Sequence, residues 1–341
     1  MTRMKFIVAS LLFLSAMLGN VFANEVNVFT SRHYESDIEL YKKFTERTGI
    51  KVNVISGEDG ALQKRIKEED KDSKADLYIT ADAGKLGTFE AEGLFQTGAS
   101  SNLIKSVVPE QLRTEYWVGI AKRARVIFYD PSRTTPNPNL SYEDLSYPEF
   151  KGKIVIRQSN SVYNQSLVAS LIENDGLEET KIWVKEFVKN FARPAKGNDR
   201  SQILAVAAGE ADYAIANTYY IALMLSGEKG SEQEVAARKV KILFPNQKGR
   251  GTHMNISGAG ILKYAPNKDN AVKLLEFLVT PKAQKHIVNN TFEYPIINGV
   301  EPSPLISQFG LDFKQDLETN VSTFAKRQAE ALRIMTEAGW N

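Results

Sequence analysis

Three places in the sequence put tyrosine at the start of a helical pattern, directly after a short apolar run. "VFTSRHYESD" carries His33 and Tyr34, "VIRQSNSVYNQSL" carries Tyr163, and "YAIANTYYIAL" carries Tyr219 and Tyr220. Adjacent residues cannot both face the core of a regular element, and a buried phenol needs a hydrogen-bond partner. Phenol oxygens gathered in one place suit a hard, highly charged cation such as ferric iron, whereas thiolates select softer metals. A free phenol has a pKa of about 10, and a bound cation drives its proton off. A helix N-terminus adds partial positive charge that favours the phenolate. Four phenolates around a trivalent ion leave one negative unit over, for which Arg123 and Arg125 in "AKRARV" are the nearest candidate counter-charges. Taken singly, each of these residues has a blander reading. Tyr163 alone is core or surface filler, His33 a solvated loop residue, and the Tyr-Tyr pair a packing or sugar-stacking surface. The coincidence of three junctions favours the metal.

The elements that must position these residues read as α/β. "VNVF" precedes "SDIELYKKFTERTG", with Ile38, Tyr41 and Phe44 at helical spacing and Gly49 as the stop. "KVNVIS" then leads to the helix "ALQKRIKEEDKDS", and "ADLYIT" leads to "AGKLGTFEAEG". The longer extended stretch "EYWVGIAKRARVIFYDP" is wide enough to cross between domains. "KGKIVIRQS" opens a second series that runs through the helices "SVYNQSLVASLIEND" and "DRSQILAVAAGE" to the strand "ADYAIA", with Asn217 as a plausible helix cap. "NISGAGIL" reads as a late strand returning to the first domain, and "VSTFAKRQAEALRIMTEAG" as the last helix. "TTPNPNLSYEDL" reads as a surface loop, and "GEDGA" as a turn without the G-K-[ST] ending of a phosphate loop. Strands alternating with helices mean mainly parallel sheets. Ligands of such sheets sit beyond the carboxyl ends of strands, which in a two-lobed molecule is the cleft between lobes.

Composition excludes several classes. Arg3 and Lys5 precede the apolar run "FIVASLLFLSAML" and a small-residue "GNVFA", so residues 1–23 read as a signal peptide cleaved after Ala23. Export to the periplasm is the expectation. The formal net charge of +2 then falls to 0, which argues against a nucleic-acid or anionic-membrane partner. No later segment is apolar enough for membrane insertion. The chain has no Cys, so disulfides, thiol catalysis and Cys-based zinc sites are all impossible. His33, His253 and His286 are scattered, which removes a zincin, and the latter two read as structural. A secreted hydrolase would need a nucleophile–base pair, and only a carboxylate pair is left to supply one. The nearer rival is a binding protein for an organic cation or oxyanion (a polyamine, a thiamine-like cation or a phosphonate) with the tyrosines as a stacking surface.

These residues resemble the ferric-ion-binding proteins of bacterial iron-uptake ABC transporters. The likeness spans "NVFTSRHY", "ADLYITADAGKL", "SVYNQSLV", "ANTYYIAL", "GTHMNISGAGIL" and "TPKAQKHIVNNTFEYPI". It implies a transferrin-like fold of two α/β lobes joined by crossing strands, no enzymatic activity, and delivery of Fe(III) to an inner-membrane ABC permease by a monomer. The expected lobes are residues 24–122 with 250–298, and 123–249 with 299–341. By the resemblance Tyr219 and Tyr220 match the family's paired ligands, and Tyr34 and Tyr163 the further tyrosines of one subgroup. His33 matches a position that is a ligand in some members and merely nearby in others. Members that use an exogenous anion carry a glutamate where "YITADAG" has Ala81, followed here by Asp82. The expectation is therefore a phenolate-rich site with no obligatory anion.

Overall fold

In the computed structural model, residues 24–32 and 34–341 are described. His33 and the signal-peptide reading of residues 1–23 lie outside them. The chain begins with β1 (Glu25–Thr30), α1 (Glu35–Thr48), β2 (Lys51–Ser56), α2 (Asp59–Glu69), β3 (Leu77–Thr80), α3 (Ala83–Ala91) and α4 (Asn102–Val107). Gly49 ends α1 in the left-handed conformation, with φ at 71°, and its N–H caps Thr45 O. β1 pairs in parallel with β2 and β3, as the alternating pattern predicts.

The thirteen-residue β4 (Trp117–Tyr129) is buried along almost its whole length. It is followed by β5 (Ile154–Val155), α5 (Val162–Asp175), α6 (Leu177–Val188), α7 (Asp199–Ala208), β6 (Tyr213–Asn217), α8 (Tyr219–Leu225), α9 (Ser231–Ala237) and β7 (Lys241–Leu243). Then come β8 (Met254–Ile261), α10 (Lys268–Leu278), α11 (Pro281–Thr291), α12 (Pro304–Ser307) and α13 (Thr323–Glu337). The strand order is β2-β1-β3-β8-β4-β6-β5, with β7 also on β4. The first half of β4, Trp117 to Ala124, pairs with β8, and β8 with β3. Its second half, Arg125 to Tyr129, pairs with β6 and β7. One strand therefore joins two sets of strands: its partner changes from β8 to β6 and β7 between Ala124 and Arg125, while every pairing stays antiparallel. The strand over "NISGAGIL" pairs antiparallel with β3, beside β1 and β2.

Two segments differ from the sequence reading. The loop "TTPNPNLSYEDL" is not confined to the surface: Leu140, Tyr142 and Leu145 are buried. Tyr142 donates its hydroxyl to Arg125 O and accepts from His253 N–H, so it braces the two crossing stretches against each other. The strand expected over "KGKIVIRQS" shrinks to Ile154–Val155. Beyond it the chain turns inward because Arg157 O accepts from both Asn164 Nδ2 (2.9 Å) and Trp340 Nε1 (2.7 Å). Among the described residues no helix is long and apolar enough to cross a membrane.

Candidate metal centre

All three tyrosine-bearing junctions follow strand segments, and they converge. Tyr34 is the residue before α1, in extended conformation. Tyr163 is the second residue of α5, and Tyr219 and Tyr220 open α8. Tyr219 Oη lies 3.4 Å from Tyr163 Oη, and the rings of Tyr219 and Tyr220 are 4.2 Å apart, tilted by 32°. Successive helical residues point about 100° apart, so neighbours can share one cleft only where the helix begins. Thr218 fixes that beginning: its N–H donates to Ala124 O at 2.9 Å and its hydroxyl accepts from Ala124 N–H at 3.4 Å. Asn217 does not cap α8. It ends β6, and its Oδ1 accepts from Arg125 Nη1 at 3.0 Å.

The phenols sit among arginines. Arg32 lies over the ring of Tyr34 at 4.6 Å, and Arg123 and Arg157 over the ring of Tyr163 at 5.1 Å and 5.3 Å. Arg32 donates to Glu293 at 2.6 Å and to Asp37 at 3.0 Å. Glu293 also accepts from Ser257 at 2.8 Å and lies 3.5 Å from Arg123. Burial works against its charge, yet Arg32 and then Arg123 hold its carboxyl below the usual range. Arg125 stands one step back, bonded to Asp199 (3.2 Å), Asn217 and Asn164 (2.6 Å), and so ties β4 to α7, β6 and α5. Asp199 is shared with Arg157 at 3.5 Å.

The tyrosines resist ionisation in this setting. Burial raises the pKa of Tyr34 well above the ordinary phenol value; Glu293 adds to the shift and Arg32 opposes it. Burial does the same to Tyr219, followed by repulsion from Tyr163, Tyr220 and Tyr34, with Arg123 opposing. Tyr220 is raised as well, by burial and then by Tyr163 and Asp199. This mutual repulsion is what a shared cation would remove. Nη2 of Arg32 and Nε of Arg123 and Arg157 are buried without hydrogen-bond partners. Cationic donors short of acceptors suit a centre that turns anionic when its phenols deprotonate.

Sequence reading missed Arg32, Arg157 and Glu293. Arg32 stands in "SRHY" and Glu293 in "FEYP", beside residues already singled out, but their pairing spans 261 residues of chain. His253 is buried against Phe324, with ring centroids 5.1 Å apart, and His286 contacts Ser36 O at 2.8 Å. Among the described residues no group of three His, Asp or Glu side chains could hold a metal ion.

Residues 72–308 match the model of the bacterial extracellular solute-binding protein family. The chain is 46% identical over 318 residues to iron uptake protein A1 of Synechocystis, covering 93% of this chain and 87% of that one. A Trichodesmium protein solved in complex with iron and citrate ligands superposes with a TM-score of 0.89 at 47% identity, over 93% of this chain and all (100%) of that one. A ferric binding protein from Campylobacter jejuni gives 0.85 at 40% identity, with 93% and 100% covered. The mixed α/β fold and these likenesses agree: the chain belongs to the bacterial extracellular solute-binding protein family.

Proposed function

We propose that this protein is a carrier, not an enzyme, which captures Fe(III) in the periplasm and hands it to an inner-membrane ABC permease. The phenolates of Tyr34, Tyr163, Tyr219 and Tyr220 hold the ion in the cleft between the lobes. The observation that carries this reading is the meeting of phenols from three separate strand–helix junctions, with Tyr219 Oη 3.4 Å from Tyr163 Oη and guanidinium groups on the rings of Tyr34 and Tyr163. A stacking surface for an organic ligand explains paired rings. It gives no reason for hydroxyls to converge in a buried cationic setting, where each raises the cost of ionising the next. The names of the relatives, which speak of iron uptake and ferric binding, point the same way.

Each lobe then supplies part of the ligand set. With the division at residues 122/123, 249/250 and 298/299, Tyr34 belongs to the first lobe and the other three tyrosines to the second. An ion that completes its oxygen shell only when the lobes are together binds the closed form better than the open one. His33 is adjacent to Tyr34 and is a fifth donor in this scheme if its ring turns to the ion. Arg123 lies against Tyr163 and offsets the extra negative charge; Arg125 holds the strand that carries it.

Purified protein titrated with ferric citrate is expected to develop a visible phenolate-to-iron absorption that saturates at one ion per chain. An organic cation or phosphonate has no such transition. A colourless protein that leaves iron with citrate would end the ferric reading and return the tyrosines to a stacking role.

A further inference from the structure

Asp82 lies two residues beyond β3, at the start of α3, in a stretch where the resemblance left it without a role, and it is 0% exposed. Its Oδ1 accepts from Gly84 N–H (2.9 Å), Lys85 N–H (3.3 Å) and Gln328 Nε2 (3.0 Å). Its Oδ2 accepts from Ser166 Oγ (2.9 Å) and Asn255 Nδ2 (2.8 Å). The two backbone bonds are those of an ordinary helix cap on α3. The other three go to α13, α5 and β8, which is more than a cap requires. Gln328 Nε2 also donates to Ser166 Oγ at 3.0 Å, so the donors are tied to one another. Asn255 is fixed in its orientation, because its Oδ1 accepts from Ala83 N–H at 3.0 Å and Ile256 N–H at 2.7 Å.

The backbone is shaped for this meeting. A Cβ on Gly84 would overlap the Gln328 amide, and one on Gly87 would stand 2.5 Å from Ala325 Cβ. α3 and α13 are therefore in close contact where Asp82 sits. Ser166 lies three residues beyond Tyr163 on α5, a spacing that places both on one helix face. An ionised carboxylate only accepts, through two oxygens, so it can take hydrogen bonds from several donors without presenting a hydrogen of its own.

We propose that Asp82 is the positioning residue that fastens α5 to the first lobe through Ser166 and thereby sets Tyr163 opposite Tyr34. This rests on the ferric reading above and adds to it the group that fixes the distance across the cleft. Asp82 touches no ion; it acts through Ser166 and the helix.

The test compares wild type, Ser166→Ala, Asp82→Asn, the double variant and Tyr163→Phe, each loaded with ferric citrate. Three quantities are read: Fe(III) affinity by citrate competition, release rate to a chelator, and visible absorption per bound iron. Ser166→Ala leaves Asp82 four of its donors and is the variant expected to keep the fold. It should lose about tenfold in affinity and Asp82→Asn about 10–100-fold, the range for residues that orient a metal's ligands. The loss should appear as faster release. The double variant should be no weaker than Asp82→Asn, because both changes break the same link. Absorption per iron should fall toward that of Tyr163→Phe, which general loosening of the fold does not produce. Wild-type affinity and absorption in Ser166→Ala overturn the assignment, as do losses that multiply in the double variant. A wild type that develops no absorption fails the ferric reading itself; a coloured wild type with unaltered variants fails only the role of Asp82.

Discussion

Tyr219→Phe and Tyr220→Phe are each expected to weaken Fe(III) binding by on the order of 100-fold or more, about 2.8 kcal/mol, while leaving the fold intact. Phenylalanine keeps the ring and its packing against the neighbouring ring at 4.2 Å, but deletes one anionic oxygen. Residues that merely orient ligands cost 10–100-fold when changed, so a direct donor should lie at the upper end of that range or beyond it. The hydroxyl of Tyr219 meets that of Tyr163 at 3.4 Å, a long hydrogen bond between two neutral phenols, so its removal should cost little stability. Citrate competition measures the affinity and circular dichroism the fold. Wild-type affinity in both variants would show that the pair is there for packing.

Much of the architecture was legible in the sequence because its signals are local. Period-two apolar runs and period-3.6 helices alternate along the chain, Gly49 sits where α1 must stop, and "EYWVGIAKRARVIFYDP" is long enough for β4 to pair with β8 along one half and with β6 and β7 along the other. The tyrosines were legible for the same reason, since each stands at a strand-to-helix change. Their surroundings were not. The partnership of Arg32 with Glu293 spans almost the whole chain, and nothing local in "FEYP" announces it. Asn217 followed the pattern of a helix cap, but Arg125 on the neighbouring strand takes its side-chain oxygen. Tyr142 was hidden in a Pro- and Asn-rich stretch whose composition says loop, while its hydroxyl is needed where the crossing strands meet. Asp82 could be read as a cap, but its three further bonds reach α5, β8 and α13.

Iron binding is expected to expel about three to four protons per ion, less any hydroxide the ion brings with it. Burial, then neighbouring negative charge, holds Tyr34, Tyr219 and Tyr220 above the ordinary phenol value, so each is a neutral phenol near neutral pH. Each becomes a ligand only by losing its proton. The sign follows directly: protons compete with iron, and affinity falls as pH falls, by up to about three to four decades per pH unit across the range where the phenols stay protonated. A weakly buffered titration with a pH indicator counts the protons. Repeated without carbonate or phosphate, it should give the same stoichiometry, since four phenolates leave no place that an added anion must fill. Near-zero proton release would rule out a phenolate-rich shell, and a strict need for added anion would replace two of the tyrosines by that anion.

Resonance Raman spectroscopy of the iron-loaded protein, excited within the visible band, tests the ligand set most directly. The vibrations enhanced at that wavelength belong to groups bonded to the metal. With Tyr34, Tyr163, Tyr219 and Tyr220 as ligands, tyrosinate ring modes should dominate the spectrum, shift when the protein is made with ring-deuterated tyrosine, and weaken in each single Tyr→Phe variant. An iron-loaded protein whose spectrum lacks tyrosinate modes, or keeps them unchanged in all four variants, would contradict the account.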